Sequence, residues 1–515
     1  MRPTRLIALV LLSFAVLSPA VATASENQLS ILQDDDLLIY RDDATRDRTL
    51  DKMKALGADA VRLTILWSVI GQNANDTKAQ QKRFKKLGAD NPKAYPKANW
   101  DRYDGLARSC LNKKILCYFD VTGPGPAFAH AKPPKKFKKD AAWWKPKPKA
   151  FYAFVRAVGR RYDGTYKDEN APGVLPRITF WSLWNEPNQG GWLRPQYENG
   201  KPVSPSLYRG LYLYGHKALE STGHSERTGD FILAGETAPI NVARKTTTSA
   251  MGPKIFINEL LCGPGSTKVG CSDFERKGPL VASAWAHHPY TKKESPLQRN
   301  PDPQAITLAN FSDLGKELDA LALNPGNIQT GLPLISTEFG YETNPPDTFA
   351  VTTPADQAQF DQIGDFVTYS DPRVIGNTQF LLRDAKPNKT AKKGSKAYWG
   401  TYQSGLFSSG GTPKPSAQAY LLPFLVHPGD AGQVSVWGQL RFLPNTLSPF
   451  TPSSVQLEYE APGAGFVPYG DPLPVTNALG YFSAQVPSPG PGRLRVSWSG
   501  PVPPGAAQSL PQTVP

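Results

Sequence analysis

The 515-residue sequence predicts an α/β fold: a (β/α)8 TIM barrel with a small C-terminal all-β sandwich domain. Three observations predict it. From about residue 36 to 425, short apolar runs alternate with segments of helical period, as when parallel strands feed helices. Eight such units can be counted, the number that closes a barrel. Beyond His427-Pro-Gly-Asp-Ala-Gly432 the apolar pattern switches to period two between Pro and Gly turns, which suits a sandwich.

The first strand is expected at residues 37–40, followed by a helix with Leu50, Met53 and Leu56 on one face. Gly57 closes that helix, where a left-handed residue ends a helix at little cost. Strands at residues 60–67 and 115–119 come next, then a helix marked by Phe151, Phe154, Val155, Val158 and Tyr162. Residues 178–184, 231–234, 282–286, 334–337 and 379–382 complete the eight strands. Helices are expected near 207–219, 308–318 and 360–367, with a closing helix at 417–425. The barrel is placed at 25–427 and the sandwich at 428–500, with strands near 434–442, 455–459, 481–486 and 494–498. Residues 501–515 are Pro-rich and without period, and are read as a disordered tail. An open doubly wound sheet is the alternative architecture, but no glycine-rich phosphate turn follows the first strand.

Residues 1–24 read as a signal peptide. Arg2 and Arg5 precede an apolar run from Leu6 to Leu17, and the small-residue site Ala22-Thr23-Ala24 follows. A secreted, extracellular protein is therefore expected, with no membrane span elsewhere. The net charge is +14, and residues 132–149 alone carry eight lysines. A solvated loop is the simplest account of that run. Nucleic acid and an acidic glycan are the other options, and no nucleic-acid motif accompanies the lysines. Four cysteines in an exported chain permit disulfides. Cys262 and Cys271 flank a flexible stretch and are expected to bridge. For Cys110 and Cys117 a bridge and buried free thiols stay equal alternatives. The cysteines lack a finger-like double pair and there are six histidines, so no metal site is expected.

Two glutamates carry the chemistry. Glu186 follows the run Ile178-Thr-Phe-Trp-Ser-Leu-Trp184, and Glu338 ends Leu332-Pro-Leu-Ile-Ser-Thr337. Both fall at the C-terminal ends of predicted strands, four and seven, where barrels of this type place catalysis. A retaining glycosidase needs such a pair: an acid to protonate the leaving oxygen and a carboxylate to attack the anomeric carbon from the opposite face. They lie 152 residues apart, so only the fold can unite them. Arg62 interrupts the apolar run 61–66 on the face opposite Val61, Leu63 and Ile65. A guanidinium pointing into a barrel needs a carboxylate.

These residues resemble the retaining clan A glycoside hydrolases, which include families 5 and 39. The resemblance covers about residues 36–425 and rests on Trp184-Asn-Glu-Pro187 with Thr337-Glu-Phe-Gly340. It implies Glu186 as acid/base, Glu338 as nucleophile, and Asn185 as partner of the sugar 2-hydroxyl. It also implies that Arg62 supports Glu338, the alternative being an exposed strand-edge arginine. In Ala286-His-His-Pro-Tyr290, which looks like the clan's strand-six element, His288 and Tyr290 would line the cleft, with Tyr290 donating to the nucleophile. His287 is then a bystander. The alternative is a packed aromatic corner with satisfied polar tips.

Trp192, Trp184, Trp143 and Trp144 are candidate sugar-stacking platforms or core fillers, and Trp192 is favoured because its loop directly follows Glu186. Glu236 and Asp384 also end strands, and either contact substrate or cap the next helix. The chain departs from the family 5 pattern at strand eight, where Phe380-Leu-Leu-Arg-Asp384 lacks a tryptophan. The expected function is retaining hydrolysis of a β-linked polysaccharide or glycoside by a monomer, without metal or cofactor and without a nucleic-acid partner. The alternative is a non-catalytic carbohydrate-binding or envelope-associated protein on the same scaffold.

Overall fold

The computed structural model describes residues 25–291, 294–442, 453–500 and 506–515. The leader expected at residues 1–24 lies outside the described residues. Eight strands form the barrel: β1 Leu29–Gln33, β2 Ala60–Leu66, β3 Leu116–Thr122, β4 Phe180–Leu183, β5 Phe231–Thr237, β6 Ala284–His287, β7 Leu334–Phe339 and β8 Val374–Phe380. Each pairs in parallel with the next, and β8 closes on β1. Helices Asp43–Ala55, Lys97–Lys113, Pro148–Arg161, Ser204–Glu220, Pro253–Leu260, Phe311–Leu323 and Pro354–Tyr369 follow successive strands.

Both faces of each strand are buried, as a barrel inside a ring of helices requires. On β2, Val61, Leu63 and Ile65 join the large cluster between strands and helices, and Ala60 joins the cluster inside the barrel. That inner cluster takes Ile31, Tyr118, Phe180, Leu233, Ala284, Ala286 and Ile335 from six further strands and fills the lower half of the barrel. The upper half is left to polar side chains.

Three element assignments differ from the sequence reading. The first strand is Leu29–Gln33, and residues 37–40 belong instead to the helix Asp35–Ile39 and its cap. Asp34 accepts from the Leu37 amide, and Asp35 and Asp36 occupy the first turn, where anions suit a helix N-terminus. Strand eight starts five residues earlier than expected, because Asn377, Thr378 and Gln379 interrupt its apolar signal inside the sheet. The closing helix stops at Leu421; Pro423 cannot continue it, and Phe424–Pro428 opens the β domain.

Gly57 ends its helix at φ +87°, and a Cβ there would also meet the Arg441 carbonyl oxygen at 2.0 Å. The backbone of the second domain thus rests directly on this glycine. In that domain, Phe424–Pro428, Gln433–Gln439 and Tyr481–Pro487 form one antiparallel sheet, and Ser453–Glu460 and Arg493–Ser499 are the centre of a second. Val434, Val436, Val455, Leu457, Leu494 and Val496 pack between them. The domain is anchored to the barrel through Arg441, which pairs with Asp365 at 2.7 Å and donates to Ser30 of β1 at 3.0 Å.

The tail expected to be disordered is corrected for residues 506–515; residues 501–505 lie outside the described residues. Ala506–Gln508 and Gln512–Thr513 both pair with Arg493–Ser499, and Val514 is buried. An exposed strand edge presents unpaired amides and carbonyls, which the tail satisfies despite its composition. Both cysteine pairs are bridged, Cys262 to Cys271 as expected and Cys110 to Cys117, which settles the open alternative. No helix among the described residues is long and apolar enough to cross a membrane.

Candidate active site

The polar layer begins with a row of side chains at equal height in adjacent strands. Gln33 of β1 lies opposite Arg62 of β2, and Arg62 opposite Tyr118 of β3. Arg62 is fully buried, and its two terminal nitrogens spread over the layer. Nη1 donates to Gln33 and to Glu338, both at 2.7 Å; Nη2 donates to Asn185 at 2.8 Å and Glu236 at 3.0 Å, with Asp120 at 3.4 Å. The expectation that Arg62 points inward toward Glu338 matches this geometry.

Glu186 stands three residues beyond β4, on a turn with unusual backbone. Trp184 and Glu186 have φ +79° and +39°, and Glu236, at the end of β5, has φ +47°. Non-glycine residues in this region are strained by about 1 to 3 kcal/mol each, and persist only where surrounding contacts hold them. Those contacts come from both neighbouring strands. The amides of Trp184 and Asn185 donate to Val121 and to the Thr122 hydroxyl of β3, and the Glu186 amide donates to the Glu236 carbonyl. The turn is therefore clamped from left and right, aiming Glu186 over the barrel mouth.

Glu338 approaches from β7. One oxygen of each carboxylate and a ring nitrogen of His288 all lie within 4.8 Å of one another. The two side chains are 18 % and 12 % exposed, so both reach solvent at the cleft. Tyr290 donates to the second oxygen of Glu338 at 3.1 Å, and Arg62 holds the first. His288 spans two acids, with Nδ1 3.0 Å from Glu186 and Nε2 2.7 Å from Glu236.

Glu236 is the centre of the layer. Fully buried, it receives Arg62, His288, Tyr118 and the Thr337 hydroxyl. It neither caps a helix nor faces the cleft, which corrects both sequence options. Burial pushes its pKa up, but Arg62 and His288 outweigh that and hold it far below the usual carboxylate range. Burial by itself would neutralise His288; the charge of Glu338 and the bonds to Glu186 and Glu236 instead raise its pKa to about 10. Burial lifts Asp120 to about 8 against the pull of Arg62. Burial also raises Glu338, against His288 and Arg62, and the Glu186 and Glu236 charges add to the rise.

Charge balance follows from these directions. At neutral pH the layer holds two cations, Arg62 and His288, with Glu236 ionised and Asp120 shifted toward its neutral form by burial. The facing carboxylates of Glu186 and Glu338 thus stand beside a positive charge on His288. The same balance bears on metal binding. Glu186, His288 and Glu338 have metal-ligand spacing, but a protonated imidazole has no lone pair to give, and both its nitrogens are engaged.

The remaining expectations divide. Asn185 is buried beside Glu186 with its Oδ1 taken by Arg62. His287 is buried between the Thr237 hydroxyl and the Ile306 carbonyl, away from the carboxylates. Trp184 is fully buried, against Phe151 and close over Gly123, so it fills core and offers no face to a sugar. Trp144 is likewise buried on Phe137. Trp192 and Trp143 are half-buried in loops beyond β4 and β3. Asp384 pairs with Lys414 at 2.9 Å below the surface. Gln33, Tyr118, Asp120 and Thr337 were not anticipated. A polar residue recurring at every second position of an apolar strand, as Tyr118, Asp120 and Thr122 do in β3, is the signal that marks them.

Tyr402 was not anticipated either. It is 55 % exposed, stands edge-on to Phe380 at 5.3 Å, and Phe380 stands edge-on to Tyr290. Burial of its hydroxyl, with the charges of Glu186 and Glu338, raises its pKa to about 12.

No protein-family model matches the chain, and no curated protein matches it. Among solved structures, its fold is similar to that of a glucosidase from Croceicoccus marinus, with a TM-score of 0.50, 11% identity, and coverage of 90% of this chain and 94% of that one. An endo-beta-1,4-mannanase from Thermotoga petrophila overlaps at a TM-score of 0.41 and 10% identity, over 95% and 98% of the two chains. A beta-glucuronidase from Parabacteroides merdae overlaps at 0.41 and 9%, over 94% of this chain and 48% of that one. The first likeness is one of fold; the other two are too loose to add to it.

Proposed function

We propose that the chain is a secreted retaining glycoside hydrolase of clan A, acting on a β-linked glycan or glycoside, with Glu338 as nucleophile and Glu186 as acid/base. The observation that carries this reading is the facing carboxylate pair, with oxygens within 4.8 Å, at the C-terminal ends of β4 and β7. Retaining pairs stand about 5 to 5.5 Å apart and inverting pairs about 6.5 to 9.5 Å, to admit a water. The two disulfides agree with an oxidising compartment.

The surroundings support the division of roles. Arg62 and Tyr290 both donate to Glu338, and donors of this kind favour a carboxylate in the role of nucleophile. With a glycoside bound, Glu186 passes its proton to the glycosidic oxygen while a Glu338 oxygen bonds to the anomeric carbon and the carbon–oxygen bond to the leaving group breaks. Glu186, now ionised, takes a proton from water. The water oxygen bonds to the anomeric carbon, and Glu338 departs as carboxylate. With its Oδ1 held by Arg62, Asn185 keeps its amide nitrogen as the donor for the neighbouring hydroxyl.

The test uses aryl glycosides with good leaving groups. Glu186→Ala should accumulate glycosyl-enzyme and regain turnover with external azide, because azide attacks without a base. Glu338→Ala should form no such intermediate, and azide should give product of inverted configuration. Absence of turnover by wild type on every glycoside and polysaccharide of a broad panel, with glycan binding unchanged in both variants, would sink the enzyme reading in favour of a binding protein.

A further inference from the structure

The charge of this protein is concentrated on the catalytic face. The loop after β3, residues 123–147, holds seven lysines against one aspartate. Residues 385–413, in the loop after β8, hold five lysines and no acid, and residues 238–252, after β5, add Arg244 and Lys245 with no acid. These three loops carry a surplus of thirteen positive charges, while the whole chain carries +14. The rest of the molecule is thus nearly neutral. In a parallel barrel all loops leaving strand C-termini lie on one face, the face of Glu186 and Glu338.

Neither large loop is a loose appendage. The β3 loop is tied to the loop that follows Glu186: Arg194 pairs with Asp140 at 2.6 Å, and its carbonyl accepts from the Lys145 amide at 2.7 Å. The β8 loop is tied to the nucleophile side. Its Tyr402 packs on Phe380, which packs on Tyr290, the donor to Glu338. Lys135, Lys136, Lys138 and Lys139 on one side, and Lys386, Lys389, Lys392, Lys393 and Lys396 on the other, are all exposed. Among the described residues none of these nine is ion-paired.

Like charges held close together without counter-ions are unfavourable for the free protein, and a polyanion relieves that repulsion. We propose that the substrate of this site is an acidic polysaccharide, carrying carboxylate or sulfate groups along its chain, which the lysine loops hold on both sides of the carboxylate pair. The proposal rests on the glycosidase reading. A glycan is favoured over nucleic acid because the lysines flank a carboxylate pair suited to glycosidic bonds, and because Tyr402 exposes an aromatic face at the cleft beside them.

Binding of the full mature chain should be measured calorimetrically with polygalacturonate, chondroitin sulfate, neutral galactomannan and single-stranded poly(dT). One or both acidic glycans should bind at least about tenfold more tightly than galactomannan in 50 mM salt, and the preference should shrink by 300 mM salt. The carboxylated and sulfated probes separate the two sources of charge. Changing Lys386, Lys389, Lys392, Lys393 and Lys396 together to Ser should weaken acidic-glycan binding about tenfold with an unchanged melting temperature, and the four-lysine change to Ser at Lys135, Lys136, Lys138 and Lys139 should do likewise. Equal affinity for neutral and acidic glycans, wild-type affinity in both lysine variants, or poly(dT) bound as tightly as the acidic glycans would overturn the proposal. Turnover of glycosides without any preference for charge would overturn it alone. Acidic-glycan binding with no turnover on any substrate would instead overturn the glycosidase reading.

Discussion

Arg62 Nη1 lies 2.7 Å from Glu338 Oε1, inside a guanidinium with no exposed atom, and its Nη2 reaches Glu236 and Asn185 at 3.0 and 2.8 Å. One side chain from β2 therefore orients the proposed nucleophile, the buried acid below it and the neighbour of the acid/base. Removing it strips the guanidinium from both Glu338 and Glu236, a loss of about 3 to 5 kcal/mol for breaking a buried pair. Arg62→Ala should lower the urea midpoint accordingly and reduce kcat by more than about a hundredfold. Arg62→Lys restores a charge without the planar fork, so it should recover stability in part and turnover hardly at all. Wild-type kcat in either variant would contradict the placement.

His288 supplies a pH signature. Its folded pKa, about 10, lies above the ordinary histidine value, so the stabilisation from its protonated form is complete below pH 6.5 and is lost as pH rises toward 10. Between those values stability should fall by up to about 1.4 kcal/mol per pH unit. His288→Gln should flatten that slope. Ring 15N shifts of wild type at pH 8 should report an imidazolium; a neutral ring would contradict the charge balance of the polar layer.

The proposed catalytic pair was legible because each glutamate ends an apolar run, and Arg62 because a charge inside such a run has few alternatives to a buried partner. Glu236 was seen at its strand end, but an acid there serves equally as a helix cap. What decides is Tyr118, Arg62 and Thr337, between 101 and 174 residues away in sequence, and only barrel closure brings them to it. Trp184 misled for a related reason. An indole beside an acid/base reads as a sugar platform, yet its φ of +79° turns it down onto Gly123 and Phe151. The first strand was displaced because Leu37-Leu-Ile39 is the more apolar run, while the capping acids Asp34, Asp35 and Asp36 make it a helix.

The bridges should matter for stability and not for chemistry. Cys110–Cys117 and Cys262–Cys271 span 7 and 9 positions, and loops of that length contribute about 2 to 3 kcal/mol each by chain entropy. Replacing Cys262 and Cys271 together by Ser should lower stability by about that amount and leave kcat within about twofold. Mass analysis after alkylation without reduction should find no free thiol. Labelling of Cys110 or Cys117 would contradict the pairing, and loss of activity in a folded double variant would tie that bridge to the cleft.

Tyr290 offers the sharpest separation between a nucleophile and a merely structural acid. Its hydroxyl donates to Glu338 at 3.1 Å, and its ring stands edge-on to His288 and Phe380. Tyr290→Phe keeps the ring packing and deletes one donor to the ionised carboxylate. A carboxylate that loses a donor binds its proton more tightly, so its pKa must rise. In the proposed mechanism Glu338 has to be ionised before substrate attack, and the acidic limb of the kcat/KM profile reports that ionisation. The variant should therefore shift the acidic limb to higher pH, by about one unit for a bond contributing about 1.4 kcal/mol, while the melting temperature changes little. Turnover on the plateau should fall about 10- to 100-fold if the bond is stronger in the transition state than in the free enzyme. If Glu338 were only a structural partner of Arg62, the same substitution would leave the limb where it is.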